Sequence, residues 1–214
     1  MKALRFIVPV LAALIFSGEK ADALSVSPNL TILGAECATD VSNSIPGLGA
    51  ISLNCGTTAS RQLAGNINSG SGFYSLGLAS DSTFTTGGVI AFEITKPFAG
   101  IVNVTEVTNP SNHHEAADVF VSNTLNWGDR IYMGTFDNGR AYKEPATSVV
   151  DIDAGPWKYL FIADSTRRVY GTDTASTDGF DIASLELISA VPLPAGAVLL
   201  LSGLGALALR RRKG

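Results

Sequence analysis

The sequence predicts an all-β body, a two-sheet antiparallel sandwich of jelly-roll type. Three observations lead there. Short runs rich in Val, Ile, Phe and Tyr recur along the middle of the chain, and turn residues separate them. No stretch of that middle region holds an apolar period of 3.6 over ten residues. The chain has 214 residues, which suits one such domain with appendages, and 16% of them are charged. Soluble domains average about 25%, so charge-driven disorder is excluded.

Taken in order, residues 1–23 read as a secretory signal peptide. Lys2 and Arg5 give a positive start, and Phe6 to Phe16 form an apolar run. Ala21-Asp22-Ala23 then supplies the two small residues of a cleavage motif, Ala21 and Ala23. The apolar run falls short of the roughly 20 residues a bilayer requires. The exported body is expected over residues 24–190. Its two cysteines, Cys37 and Cys55, are expected to pair in an oxidising compartment, a cross-link worth about 3 kcal/mol. Half of a metal site is the alternative, but no histidine stands near them in sequence.

Residues 37–71 are rich in Gly, Ser, Asn and Thr and predict loop with short edge strands. Strands are then expected at 73–78, 89–94, 101–107, 118–122, 130–136, 148–152, 159–163 and 182–188. The intervening turn signals are Gly87-Gly88, Asn109-Pro110, Asn138-Gly139, Gly155-Pro156 and Asp178-Gly179.

Residues 191–214 form a separate unit. Val191-Pro192-Leu193-Pro194-Ala195 leads into an uncharged stretch from Leu193 to Leu209, at the lower limit for a single transmembrane helix. Arg210, Arg211, Arg212 and Lys213 follow as a basic stop, which orients the tail inward and the body outward. This three-part ending resembles the VPLPA variant of the PEP-CTERM sorting signal, carried by exported proteins of Gram-negative bacteria that make exopolysaccharide. The resemblance implies processing by an exosortase near residues 191–195, an inner-membrane intermediate, and a final place at the cell surface or in the extracellular matrix. Two prolines flanking one residue keep the backbone extended, a form a protease can grip.

The ends account for part of the mean hydropathy of +0.26. Residues 24–190 hold eight Lys and Arg against 17 Asp and Glu, a charge of about −9. Such a surface repels polyanions, so a nucleic-acid partner is not expected. The later body is similar to discoidin-like or galactose-binding-like sandwiches. The residues that carry this likeness are Glu106-Val107-Thr108, Glu115 to Ser122, Trp127, Tyr132 to Thr135, Tyr159 to Asp164 and Asp178 to Ile182. The resemblance implies strands framing a carbohydrate- or calcium-binding rim.

Candidate site residues follow from chemistry. Asp164, Asp173, Asp178 and Asp181 lie near one turn, and Asp164, Asp178 and Asp181 are the candidate ligands for a calcium ion, no other cofactor being expected. The competing reading makes Asp178 a turn residue and the others solvated. Trp127, Tyr132, Tyr142, Trp157, Tyr159 and Tyr170 offer aromatic faces for sugar stacking, with Trp127 and Trp157 expected at a rim. His113-His114 reads as a surface loop pair. Enzyme motifs such as G-x-S-x-G, H-E-x-x-H and the phosphate-binding loop are absent, although Glu93, Glu106, Glu115 and Asp118 are able to meet across a sheet. The expectation is therefore a non-catalytic structural or binding protein of the cell surface or exopolysaccharide matrix. A carbohydrate-binding or adhesin module, with a glycan partner and calcium assistance, is the alternative. A secreted glycoside hydrolase or lyase stands third.

Overall fold

The computed structural model describes residues 29–56, 58–70, 72–80, 86–107, 113–138 and 146–189. The signal peptide with Ala21 and Ala23, the motif Val191–Ala195, and the apolar stretch with Arg210–Lys213 lie outside the described residues. So do Tyr142 and the turn residues Asn109, Pro110 and Gly139. Among the described residues, no helix is long and apolar enough to cross a membrane.

Nine strands carry the described chain: β1 (Leu30–Ala35), β2 (Leu53–Asn54), β3 (Tyr74–Ser75), β4 (Leu78–Ala79), β5 (Val89–Glu106), β6 (Ala116–Ser122), β7 (Ile131–Asp137), β8 (Ala146–Asp164) and β9 (Asp181–Ser189). A short helix, α1 (Thr166–Tyr170), follows β8. The pairings among these strands are antiparallel. The main sheet runs β3-β9-β5-β8-β6-β7 with β1 added on β5, and β2 and β4 make a separate two-stranded ribbon.

The layers arise because β5 and β8 are long enough to serve two lobes. The first part of β5, Val89 to Glu93, pairs with β1 and with the end of β8, which continues to β6 and β7. Its last part, Gly100 to Glu106, pairs with β9 and with the start of β8. Between the two, register shifts interrupt the ladder on both sides of Phe98. Pairing jumps on β8 from Trp157 to Ile152, and Pro156, which has no N–H to donate, sits inside that jump. Gly155-Pro156 is thus a bulge within one strand, where the sequence predicts a turn between two. The two expected sheets are correspondingly parts of one hydrogen-bonded sheet.

The lobes close on one core. Ile90 and Phe92 of the first lobe share an apolar cluster with Val102, Val104, Leu185 and Leu187 of the second. Burying each such side chain contributes about 1.5–3 kcal/mol. The opposite face of the first lobe is also covered. Val89, Ala91, Phe161 and Ala163 pack there with Phe120, Trp127 and Ile45. Ile45 comes from the segment between Cys37 and Cys55, which form a disulfide closing the cover loop.

Two local devices hold the edges. Gly88 donates its amide to the Gly77 carbonyl at 2.8 Å, and a Cβ on Gly88 would stand 1.7 Å from the Leu76 carbonyl oxygen. Gly87-Gly88 therefore marks a close chain crossing rather than the expected turn. Asn68, at φ 63°, donates its side-chain amide to the Leu185 carbonyl at 2.9 Å and accepts the Leu185 N–H at 2.8 Å. Its side chain stands in for a strand residue beside β9.

Candidate functional site

The 3-10 turn Trp127–Asp129 is capped by the Asn126 side chain, which accepts the Gly128 N–H at 2.9 Å and turns the indole inward. Trp127 is 7% exposed, edge-on to Phe120 and Phe161, with the Arg130 guanidinium 4.0 Å from its ring centre. The expected rim position for Trp127 is corrected by this burial, since no open ring face remains for a sugar. Trp157 is half-buried, packing against the main core at the bulge in β8. His113 and His114 are half-buried, and the His114 ring lies 5.3 Å from that of Tyr170, centre to centre.

The acidic residues form a buried network. Asp178 is 1% exposed and accepts from Arg61 Nη1 at 2.5 Å. Ser75, at the end of β3, donates to Asp181 Oδ1 at 2.5 Å and lies 3.2 Å from Asp178 Oδ2. Glu106 closes β5 and Glu115 precedes β6, and their buried carboxyls are near enough to raise the Glu115 pKa. Asn138 bridges them, donating to Glu106 Oε1 at 2.9 Å and accepting the Glu115 N–H at 3.0 Å. Burial, then the neighbouring Asp181 and Glu106, holds the Glu115 carboxyl well above the usual range. Burial likewise raises Asp181, against the hydrogen bond from Ser75. Burial thus favours the protonated form of both carboxyls over the charged one.

Asp164 is fully buried at the end of β8 and accepts from the Thr166 hydroxyl at 2.6 Å and the Phe180 N–H at 3.0 Å. Its Oδ2 finds no partner among the described residues, and burial pushes its pKa up to about 7. Asp164 Oδ1 thus accepts from Thr166 and Phe180, Asp178 Oδ2 from Arg61 and Asp181 Oδ1 from Ser75. Among the described residues, no group of three or more His, Cys, Asp or Glu side chains is arranged to hold a metal ion. The calcium ligand set expected from the sequence does not converge. Glu106 and Glu115 do meet, but each is 1% exposed, beneath the surface that a polysaccharide would touch.

A more open geometry adjoins this cluster. Arg61, held by Asp178, lays its guanidinium 5.1 Å from the centre of the half-buried Phe73 ring. Phe73 then lines two depressions. The smaller, about 280 Å³, has Ser60, Arg61, Leu63 and Asn66 on its walls. The larger, about 570 Å³, is lined by Phe73 with Val107, Ser184 and Glu186, among others. An aromatic ring beside a hydroxyl and a carboxylate, in a volume within the roughly 300–1,000 Å³ typical of ligand sites, is chemistry suited to a pyranose. The apolar face of such a sugar would meet the ring, and its hydroxyls would meet Ser184 and Glu186.

No protein-family model and no curated protein matches the chain. Several solved structures resemble it. The C-terminal domain of a chitobiase from Bacteroides fragilis is 10% identical with a TM-score of 0.49, over 78% of this chain and 97% of that one. The family 32 carbohydrate-binding module of Streptococcus pneumoniae EndoD is 11% identical with a TM-score of 0.40, over 78% and 99%. A CBM32 module from Clostridium perfringens, in complex with GalNAc-β-1,3-galactose, is 10% identical with a TM-score of 0.41, over 76% and 97%.

Phe73, Arg61, Ser184 and Glu186 do not stand out in the sequence. The one available signal is Arg61, a lone cation in a Gly-, Ser- and Asn-rich stretch. That Phe73 stands beside β9 follows only from the pairing of β3 with Ile182 and Asp181.

Proposed function

We propose that this chain is an exported protein of the cell surface or exopolysaccharide matrix whose β-sandwich body binds saccharide, without catalysis, in the groove at Phe73. The single observation that carries the binding reading is the aromatic wall shared by two depressions, with Arg61 fixed over the ring by a buried carboxylate. The sorting half of the reading is supported by the ordered tail of Val191–Ala195, apolar stretch and basic cluster, which resembles an exosortase signal. On this reading the inner membrane holds the chain at least transiently before release outward, and the partner is an exopolysaccharide or surface glycan.

Affinity electrophoresis of the full-length protein in gels containing a panel of neutral and acidic polysaccharides tests the binding half. Retardation by at least one polymer, weakened about tenfold or more by Phe73→Ala, is expected. A protein that migrates alike in every gel would return the body to a purely structural role. For sorting, deletion of residues 191–214 is expected to change both membrane retention and the mass of the mature form. An unchanged mass and an unchanged location would end the exosortase reading.

A further inference from the structure

The outer face of β6 and β7 carries a second aromatic surface that the Phe73 groove does not use. β7 is the end strand of the main sheet, and its register against β6 shifts between Val119 and Phe120. Phe120 pairs with Tyr132 and Val119 with Gly134, so Met133 is the extra residue of a bulge. Side chains alternate along a strand, and Asp118 pairs with Thr135. The bulge therefore brings Tyr132, rather than Met133, onto the same face as Thr135, Asp118 and Phe120.

Tyr132 is 55% exposed, yet it is not loose. Its ring packs edge-on to Phe120 at 5.7 Å, and its hydroxyl lies 2.7 Å from Thr135 Oγ1. Thr135 donates to Asp118 Oδ1 at 2.6 Å, so the tyrosine hydroxyl is the donor to Thr135. Arg168 from α1 closes the chain on Asp118 at 2.5 Å. An exposed ring fixed at both edge and hydroxyl loses little freedom when a ligand stacks on it.

The other side of this shelf is a guanidinium. Arg130 lies 5.2 Å from the centre of the Phe120 ring and 4.0 Å from that of Trp127. It gives Nη1 to the Trp127 carbonyl at 2.9 Å, while its buried Nε has no partner among the described residues. No carboxylate among those residues faces it in an ion pair: the pairs found there join Arg61 to Asp178 and Arg168 to Asp118. The complementary group for a guanidinium with donors to spare, set on apolar rings, is a planar carboxylate.

We infer that the shelf of Phe120, Tyr132 and Arg130 is a second saccharide site, taking a single uronate residue with its pyranose ring on Tyr132 and its carboxylate on Arg130, where the local guanidinium outweighs the repulsion that a body charge of about −9 exerts on polyanions. This rests on the reading that the body binds saccharide, but on a surface separate from the Phe73 groove.

Affinity electrophoresis of the full-length protein in polygalacturonate gels, beside gels of the same polymer after carboxyl reduction, supplies the test. The wild-type protein and Tyr132→Phe are expected to be retarded by the uronate polymer and not by its reduced form. Tyr132→Ala and Arg130→Gln are expected to lose at least tenfold in apparent affinity for it, while Phe73→Ala keeps that retardation. Intrinsic tryptophan emission, unchanged in Tyr132→Ala, checks that the variant is folded. Free migration of the wild type in polygalacturonate, equal retardation by the reduced polymer, or wild-type retardation of Tyr132→Ala would overturn the assignment. Loss in Phe73→Ala alone would leave saccharide binding standing while removing this second site.

Discussion

Raising the pH from 5 to 7 should destabilise this protein, the opposite of the behaviour of a fold held by ionised carboxylates. The reasoning starts at Asp164. Burial raises its carboxyl from 3.8 to about 7, so the folded chain keeps a proton there that the unfolded chain has released. Stability from this group is fully present below about pH 4 and is lost as pH rises through about 7. In that window the native state binds one more proton, and unfolding free energy falls by about 1.4 kcal/mol per pH unit. Across the whole window the loss reaches about 4 kcal/mol, a large share of the roughly 5–15 kcal/mol that domains possess. Glu115 and Asp181, raised in the same direction, steepen the fall. Urea unfolding read by tryptophan emission is the assay, since Trp127 is buried and Trp157 half-buried. Asp164→Asn, neutral at every pH and still able to accept from Thr166 and Phe180, should reduce the slope by about 1.4 kcal/mol per pH unit. Wild-type stability that rises from pH 5 to 7, or a slope unaltered in Asp164→Asn, would refute the reasoning.

Four further outcomes are expected in the same unfolding assay. Replacing Cys37 and Cys55 together by Ser should cost about 3 kcal/mol, matched by reduction of the wild-type protein, because the disulfide tethers the loop that covers the outer face of the first lobe. Gly88→Ala should cost more than about 3 kcal/mol, since the new Cβ meets backbone rather than a movable side chain. Asn68→Gly should cost about 2 kcal/mol, because it keeps the positive φ and loses the two side-chain hydrogen bonds to Leu185. Asn68→Ala should cost about 1 kcal/mol more, the added penalty of a Cβ at that φ.

Much of the fold is legible because side-chain period and turn chemistry are local. The strands around Val89, Asp118, Ile131 and Ile182 all lie where β-branched and aromatic residues cluster. Strands β5 and β8 each read as two in the sequence. Pro97 and Gly100 in β5, and Gly155-Pro156 in β8, are local break signals, whereas a bulge depends on the partner strand opposite. β1 is less legible, because Leu30–Ala35 is a short run whose place in the sheet comes from pairing with β5.

The candidate site is less legible, for a physical reason. Asp164, Asp178 and Asp181 are polar in sequence and buried in space, so their chemistry is set by Thr166, Arg61 and Ser75, which lie up to 117 residues away. Trp127 has the flanking residues of a rim aromatic, yet the Asn126 cap and the overlying Arg130 make it core. Phe73 and Glu186 share a groove only because β3 lies beside β9.

The most direct measurement of the central claim is the dissociation constant of the full-length protein for the polysaccharide that retards it most, taken for the wild type and for Phe73→Ala. A loss of about tenfold or more in Phe73→Ala, with tryptophan emission and urea midpoint unchanged, is the predicted result. Equal affinity in the two proteins, or no saturable binding to any polysaccharide, would contradict it.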